Sequence, residues 1–210
     1  MKIDTLIHWC GGLLAFSVLG VLLYGIWLGI RRQAGRTTGL TGAWLHSPWF
    51  YLITAALFFG ACYFGWVPLP KMVSTQVRAW MLVLGSFLYF PGLLFVLWSR
   101  YALGSNYFPS TGFGVQLFAN HQLITSGPYA IVRHPMYVGL ILGAFGSMLI
   151  YFTWTTLCFA CIAPFFTVRA RREEAALAEE FGDLWQAYCN RVPAFIPRLK
   201  HRVTKIMFVG

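Results

Sequence analysis

The 210-residue chain is 58% hydrophobic and only 10% charged, so water cannot be the only solvent of its folded state. Its net charge of +10 could suggest nucleic acid. However, the basic residues lie between apolar runs and after the last one, as in the loops of membrane proteins. We therefore predict an all-α, polytopic integral membrane helical bundle and no nucleic-acid partner.

Five apolar runs predict about five transmembrane helices. A bilayer core about 30 Å thick requires ~20 apolar residues in helical form. The runs cover residues 6–30, 48–67, 79–98, 136–152 and 154–168. The last two are short and nearly contiguous, which predicts a tight helical hairpin that is tilted or incompletely spanning.

Two further stretches complete the chain. Residues 99–135 contain several glycines, and a connection of this length is often functional. Residues 169–188 place apolar side chains at helical spacing with acidic ones between them. This pattern predicts an amphipathic C-terminal helix on the cytosolic side, ended by Pro193 and Pro197.

Lys and Arg placement predicts the orientation, because cytosolic loops carry the excess of these residues. With five spans and the N-terminus outside, most basic residues fall in the cytosol: Arg31, Arg32, Arg36, Arg100, Arg133 and those from Arg169 onward. Only Lys2, Lys71 and Arg78 would lie outside. We therefore expect a multi-pass protein with its N-terminus outside and its C-terminus cytosolic.

The cysteines do not predict a metal site. Cys158 and Cys161 have the spacing of a redox or zinc pair, but they lie inside an apolar run and no second ligand pair accompanies them. Structural zinc sites usually have four ligands. We interpret the pair as structural and predict no metal.

Polar residues concentrate at the ends of the last two apolar runs. Arg133 and His134 precede the fourth run, and Arg169 and Glu173 follow the fifth. If these runs form a hairpin, the charged residues converge at the same end of it. Charged groups at a membrane boundary are energetically costly and often mark a functional site. Each residue alone also fits a topology anchor, a turn or a helix start. Their ordered combination favours a functional site.

Two segments carry a resemblance to a known family. Residues 121–139, HQLITSGPYAIVRHPMYVG, and residues 169–197, RARREEAALAEEFGDLWQAYCNRVPAFIP, resemble signatures of the isoprenylcysteine carboxyl methyltransferase family and of related phospholipid methyltransferases. The first three spans show only hydropathy. The expected division is therefore three N-terminal transmembrane helices over residues 1–98 and a methyltransferase catalytic region over residues 99–210.

The resemblance implies a membrane-embedded enzyme that uses S-adenosyl-L-methionine to methylate the α-carboxylate of an isoprenylated cysteine. The acceptor would be a lipid-linked or prenylated small substrate that enters from the bilayer. Arg169 is implied as the catalytic, substrate-binding residue beside that carboxylate. The implied cofactor-binding residues are Gln116, His121, Gln122, Leu123, Ile124, Tyr129, His134, Pro135, Met136, Tyr137 and Glu173.

Three other functions stay open. A phospholipid headgroup N-methyltransferase would share the same segments. An NADPH-dependent sterol-type reductase would share Arg-His-Pro-x-Tyr, but such proteins tend to have Asn after the Pro, where this chain has Met136. A membrane scaffold that has lost activity would not need Arg133, His134, Arg169 and Glu173 together. A soluble Rossmann-type methyltransferase is disfavoured, because Gly112-x-Gly114 has no strand-turn-helix context.

Overall fold

The computed structural model describes residues 3–31, 34–38, 48–70, 73–107, 115–118 and 122–198. Within these ranges, helices dominate and confirm the predicted helical class. The elements in chain order are α1 (Ile3–Ile30), β1 (Ala34–Thr38), α2 (Pro48–Phe64), α3 (Thr75–Leu103), β2 (Val115–Phe118), α4 (Pro135–Tyr151), α5 (Trp154–Ile162), α6 (Phe166–Phe181) and α7 (Asp183–Arg191).

Helices α3 and α4 form the centre of the bundle and approach each other through glycines. An ideal Cβ atom on Gly139 would lie 2.5 Å from the carbonyl oxygen of Gly92, and one on Gly146 would lie 2.5 Å from the backbone nitrogen of Tyr89. Only glycine permits such contact between two helix backbones, a mode that is common between helices in membranes. The side chains of Val96 in α3 and Ile150 in α4 are fully buried in this interface.

Helix α1 packs against this central pair. Val18 of α1 joins a buried cluster with Leu93, Val96 and Ile150. Two tyrosines also bond to the α1 backbone: the Tyr89 hydroxyl donates to Gly11 O at 3.0 Å, and the Tyr151 hydroxyl donates to His8 O at 3.1 Å. The first helix is therefore attached to the helices that precede and follow the long loop.

The turn between α4 and α5 is bonded to the connection between α2 and α3. Leu69 N donates to Phe152 O at 2.9 Å, and Trp154 N donates to Val67 O at 3.1 Å. Thr153 forms a capping box with Thr156, which starts α5 immediately after the turn. These two connections consequently lie at the same end of the bundle.

Two helices of the described part are long and apolar enough to cross a membrane, over Ile3–Gly29 and Thr75–Asn106. The apolar segments Leu52–Phe64 and Pro135–Tyr151 are shorter. Large apolar side chains also face outward from the long helices. Phe16 of α1 is 73% exposed and Phe87 of α3 is 76% exposed, surfaces that suit lipid better than water.

The structure corrects the predicted C-terminal elements. The fifth apolar run ends as an α-helix at Ile162 and continues through a 3-10 turn over Ala163–Phe165, because Pro164 cannot donate a backbone hydrogen bond. The predicted single tail helix is two helices, α6 and α7. Gly182 separates them with a positive φ of 49°, a conformation that favours glycine.

A small antiparallel sheet was not predicted. It pairs β1, which follows α1, with β2 in the long loop, and matches Thr37 with Gln116 and Thr38 with Val115. The register shifts between Ala34 and Thr37. The sheet holds part of the long loop beside the end of α1.

Candidate active site

The start of α4 is fixed by the chain that follows α7. Arg133 N donates to Pro193 O at 2.8 Å, and His134 N donates to Ala194 O at 3.1 Å. Pro135 then occupies the first turn of α4, where the lack of a backbone donor has no cost. Arg133 and His134 are thus held between α4 and the segment after α7.

One oxygen of Glu174 binds both of these side chains. Glu174 Oε1 accepts from Arg133 Nε at 2.9 Å and from Arg133 Nη2 at 2.8 Å, and it lies 2.8 Å from His134 Nε2. Arg133 also donates through Nη1 to Val192 O at 2.8 Å. We call this group of Arg133, His134 and Glu174 the clamp. It ties α6 to the start of α4 and to the segment after α7.

The clamp keeps Glu174 ionised. The hydrogen bond from His134 is the largest influence and, with that from Arg133, lowers the pKa of Glu174, although burial acts in the opposite direction. His134 is only 5% exposed, so its contact with the carboxylate is shielded from water. The clamp carboxylate is therefore a structural anion that is already engaged.

Glu173, the neighbouring carboxylate, lies beside the stacked rings of Tyr137 and Phe166, which we call the aromatic wall. The Tyr137 hydroxyl donates to Glu173 Oε1, and His134 Nδ1 lies 4.0 Å from Glu173 Oε2. The Tyr137 ring stacks on Phe166, with centroids 5.3 Å apart and planes at 13°. Since the Glu173 side chain is 23% exposed, it can be reached by a small molecule.

Arg169 lies one helical turn before Glu173 on α6. Its guanidinium carbon is 5.9 Å from the centroid of the Tyr137 ring and 5.8 Å from that of Phe166. The cation and the carboxylate therefore share the face of α6 that meets the aromatic wall. A site with both charges can orient a ligand that itself carries two different charges.

Two buried tyrosines lie close to these charges. Burial, followed by the charge of Glu173, raises the pKa of Tyr129 well above its usual value. Burial also raises the pKa of Tyr107 to about 12, although the charges of Arg100 and Arg169 act in the opposite direction. Both phenols therefore stay protonated at neutral pH and can donate a hydrogen bond.

A second cluster supports the site from the C-terminal side. The Tyr188 hydroxyl donates to Tyr129 O at 2.7 Å, and Trp185, Tyr188 and Val192 form a buried group against which Leu123 packs. Burial raises the pKa of Tyr188 to about 12. Helix α7 thus holds the turn that precedes Arg133 in place.

The structure brings five of the predicted site residues together: Tyr129, His134, Tyr137, Arg169 and Glu173. Pro135 begins α4 beside them. Met136 does not face the site, because it packs against the buried cluster that contains Val96 and Ile150. Its neighbours in sequence, His134 and Tyr137, point to the site instead.

The predicted residues of the long loop are more dispersed. Gln122 is exposed, and its backbone nitrogen donates to Asn106 Oδ1 at 3.2 Å. Leu123 belongs to the cluster around Tyr188, and Ile124 is half-buried. Gln116 lies in β2, but its side chain is outside the described part of the structure, as is the whole of His121.

Some features of the site were not predicted. Arg133 was expected here, but its pairing with Glu174 in the clamp was not, since 41 positions separate the two residues in sequence. Phe166 completes the aromatic wall, and Phe195 stacks on His134 with centroids 5.3 Å apart. The doublet Glu173-Glu174 was a usable signal for two carboxylates with different partners, since adjacent residues on a helix point in different directions.

Fold and site together define an α-helical protein that carries a charged, aromatic-walled site beside its apolar helices. The phospholipid methyltransferase family matches residues 80–184, half of the 210-residue chain. This match spans α3, α4, α5 and α6, which bear most of the site. The chain belongs to the phospholipid methyltransferase family.

The chain is also similar to proteins of two kinds, protein-S-isoprenylcysteine O-methyltransferases and a metal resistance protein. The protein-S-isoprenylcysteine O-methyltransferase of Schizosaccharomyces pombe is 41% identical over 80 residues, 37% of this chain and 34% of the relative. The human protein-S-isoprenylcysteine O-methyltransferase is 36% identical over 84 residues, 38% of this chain and 29% of the relative. The cobalt-zinc-cadmium resistance protein CzcN of Cupriavidus metallidurans is 38% identical over 82 residues, 38% of each chain. The chain thus spans about a third of the length of these relatives.

Proposed function

We propose that the protein is a membrane-embedded, S-adenosyl-L-methionine-dependent methyltransferase that methylates the α-carboxylate of an isoprenylated cysteine. The observation that carries this proposal is the pairing of Arg169 and Glu173 on one face of α6, against the rings of Tyr137 and Phe166. The similarity to protein-S-isoprenylcysteine O-methyltransferases supports the choice of acceptor.

The residues around Glu173 fit the proposed cofactor. S-adenosylmethionine would supply the methyl group on a sulfonium, which is the electrophile. Glu173 and Tyr137 would bind its ammonium or ribose hydroxyl groups, and aromatic faces suit a cationic ligand. Tyr129 and His134 would complete the cofactor-binding residues. Gln116, His121, Gln122, Leu123, Ile124 and Pro135 remain proposed contacts, whereas Met136 packs against the core of the bundle.

Arg169 would hold the acceptor. A guanidinium binds a carboxylate through two parallel hydrogen bonds, which fixes the position of the nucleophilic oxygen. A carboxylate is already ionised near neutral pH, so no general base is required. The protein would therefore act by aligning the two ligands and by excluding water from the aromatic wall.

The proposed membrane arrangement has five spans, α1 to α4 and residues 154–168, with the N-terminus outside and the C-terminus cytosolic. Helices α4 and α5 would form the hairpin, and α6 and α7 the cytosolic amphipathic part. The isolated bridge between Pro68 and Thr153 supports this arrangement, because alternating spans place those two connections on the same, outer side. Residues 1–98 would then anchor the catalytic region formed by residues 99–210.

Cofactor binding by the full-length protein in detergent tests the proposal. We expect saturable binding of S-adenosylmethionine and none of NADPH. Glu173→Ala should lower the affinity at least about tenfold, the effect of losing one charge-assisted hydrogen bond. The matched control is Glu180→Ala, an exposed glutamate on the same helix. Binding of NADPH alone would favour the sterol-type reductase.

A phospholipid headgroup N-methyltransferase is the second candidate, and the family match favours it. This enzyme would use the same cofactor but would accept an amine. Comparing methyl transfer to a farnesylated cysteine analogue with transfer to phosphatidylethanolamine separates the two candidates. Transfer to the amine alone would replace the first proposal by the second.

A further inference from the structure

Arg100 is a second guanidinium beside the site. It lies near the end of α3, where its Nη1 donates to Gly104 O at 2.9 Å and its guanidinium carbon is 4.4 Å from the centroid of the Tyr107 ring. Tyr107 is 7% exposed and interacts electrostatically with both Arg100 and Arg169. The buried phenol thus contacts Arg100 and lies near enough to Arg169 to be affected by its charge.

No acidic side chain neutralises Arg100. The chain has six acidic side chains, all within the described residues: Asp4, Glu173, Glu174, Glu179, Glu180 and Asp183. None of these lies within ion-pair distance of Arg100. In addition, Arg100 Nε is buried without a hydrogen-bond partner among the described residues. A half-buried cation that lacks a counter-ion is costly, and an anionic ligand would remove that cost.

Helix α1 fixes the position of this cation. An ideal Cβ atom on Gly25 would lie 2.6 Å from Arg100 Nε and 2.7 Å from Cδ1 of Tyr107. The backbone of α1 therefore touches the stacked pair, and any side chain at position 25 would displace it. Three contacts, from Gly104, Tyr107 and α1, hold the guanidinium in one place.

We propose that Arg100 is a second acceptor-binding cation, which binds the carboxylate of the methyl acceptor together with Arg169, and that α1 at Gly25 forms one wall of the acceptor site. This inference rests on the proposed function and deepens it. Two arginines beside a cationic cofactor would repel an ammonium acceptor, whereas they would attract a carboxylate. The arrangement therefore selects for an acid rather than an amine.

The charge part of the inference is tested with full-length protein in detergent, labelled S-adenosylmethionine and N-acetyl-S-farnesylcysteine. Arg100→Gln should raise the KM for this acid at least about tenfold. The affinity for S-adenosylmethionine should stay unchanged. Inhibition by the corresponding farnesylcysteine amide, which has no carboxylate, should also stay unchanged. Arg100→Lys should recover part of the loss, and Arg171→Gln, at an exposed arginine of α6, is the control.

The proposal that α1 forms one wall of the acceptor site is tested by two glycine substitutions on α1, one at a crowded position and one at an open position. Gly25→Leu should raise the KM for the acid without changing cofactor affinity, because it displaces Arg100 and Tyr107. Gly20→Leu is the matched control, since nothing lies within 4 Å of a Cβ atom on Gly20.

The outcomes separate this inference from the proposed function. An active wild type whose Arg100→Gln variant keeps the KM of the Arg171→Gln control would contradict the inference alone. Equal weakening of the acid and the amide would also contradict it, because the effect would then not concern the carboxylate. A wild type that binds S-adenosylmethionine but transfers methyl groups only to phosphatidylethanolamine would contradict both.

Discussion

At the scale of single residues, the two adjacent glutamates have different surroundings. Three nitrogen atoms of Arg133 and His134 converge on one oxygen of Glu174, all within 2.9 Å. Glu173 instead meets the Tyr137 hydroxyl and faces the aromatic wall. The proposal therefore assigns ligand binding to Glu173 and the positioning of α6 to Glu174.

The clamp predicts acid-sensitive stability. Because the pKa of Glu174 is lower in the folded state than its ordinary value of 4.5, the clamp stabilises the protein above that pH. The stabilisation is lost as the pH falls below that value, through the lowered pKa of the folded state. Glu174→Gln should cost about 1–3 kcal/mol of unfolding free energy at neutral pH and flatten this acid dependence.

Thermal unfolding in detergent at a series of pH values measures this effect, with Glu180→Gln as the exposed control on the same helix. If Glu174→Gln and Glu180→Gln gave the same unfolding temperature at neutral pH, the clamp would not stabilise the fold.

The sequence predicted which charged residues form the site more reliably than it predicted the contacts that these residues make. Arg133, His134, Arg169 and Glu173 could be placed at one end of the hairpin, because they flank two adjacent apolar runs. The pairing of Arg133 with Glu174 could not be derived, since it depends on how α6 packs beside α4. For the same reason the sequence did not show that Met136 faces the core.

At the scale of helices, glycines determine how closely α3 and α4 pack. The Cβ positions of Gly85, Gly92, Gly139 and Gly146 would all lie within 3.0 Å of atoms of the facing helix. This close contact aligns the end of α3, which bears Arg100, with the start of α4, which bears His134. The geometry of the site therefore depends on the spacing of these two helices.

Glycine-to-alanine changes test this dependence. Gly139→Ala should destabilise the protein by about 1–3 kcal/mol, because its Cβ atom would overlap the backbone of α3 and force the helices apart. Gly60→Ala on α2 is the matched control, because nothing lies within 4 Å of its Cβ position. It should be neutral or stabilising, since alanine favours a helix by about 1 kcal/mol over glycine. Equal unfolding temperatures for the two variants would contradict the proposed packing.

The positions of the apolar helices followed from hydropathy, but the break in the C-terminal helix and the small sheet did not. Residues 6–30 and 136–152 were predicted as apolar helices, and α1 and α4 begin and end within a few residues of those bounds. The break between α6 and α7 at Gly182 was not predicted, because a glycine inside an amphipathic pattern does not by itself show a positive φ. The sheet of β1 and β2 pairs segments almost eighty residues apart, which no local pattern reveals.

At the scale of the whole molecule, the described contacts separate two ends of the bundle. The connection that contains Pro68 meets the turn at Thr153 at one end, where Arg78 also donates to Leu149 O at 2.7 Å. The opposite end of α4 carries His134 and the clamp. Under the proposed topology the first end is external and the second is cytosolic.

Labelling of single cysteines tests this orientation. In a variant without the five natural cysteines, a membrane-impermeant maleimide should label Pro70→Cys in intact cells. It should label Leu184→Cys only after permeabilisation. Both positions are exposed, so access of the reagent depends on the side of the membrane. Labelling of Leu184→Cys in intact cells would reverse the proposed topology.

Methyl transfer to N-acetyl-S-farnesylcysteine tests the central proposal most directly. The purified protein should convert this acid to its methyl ester with methyl groups from labelled S-adenosylmethionine, and both Glu173→Ala and Arg169→Ala should lose most of this activity. The Arg169→Ala variant should still bind the cofactor. A wild-type protein that binds S-adenosylmethionine but forms no methyl ester would contradict the proposed carboxyl methyltransferase activity.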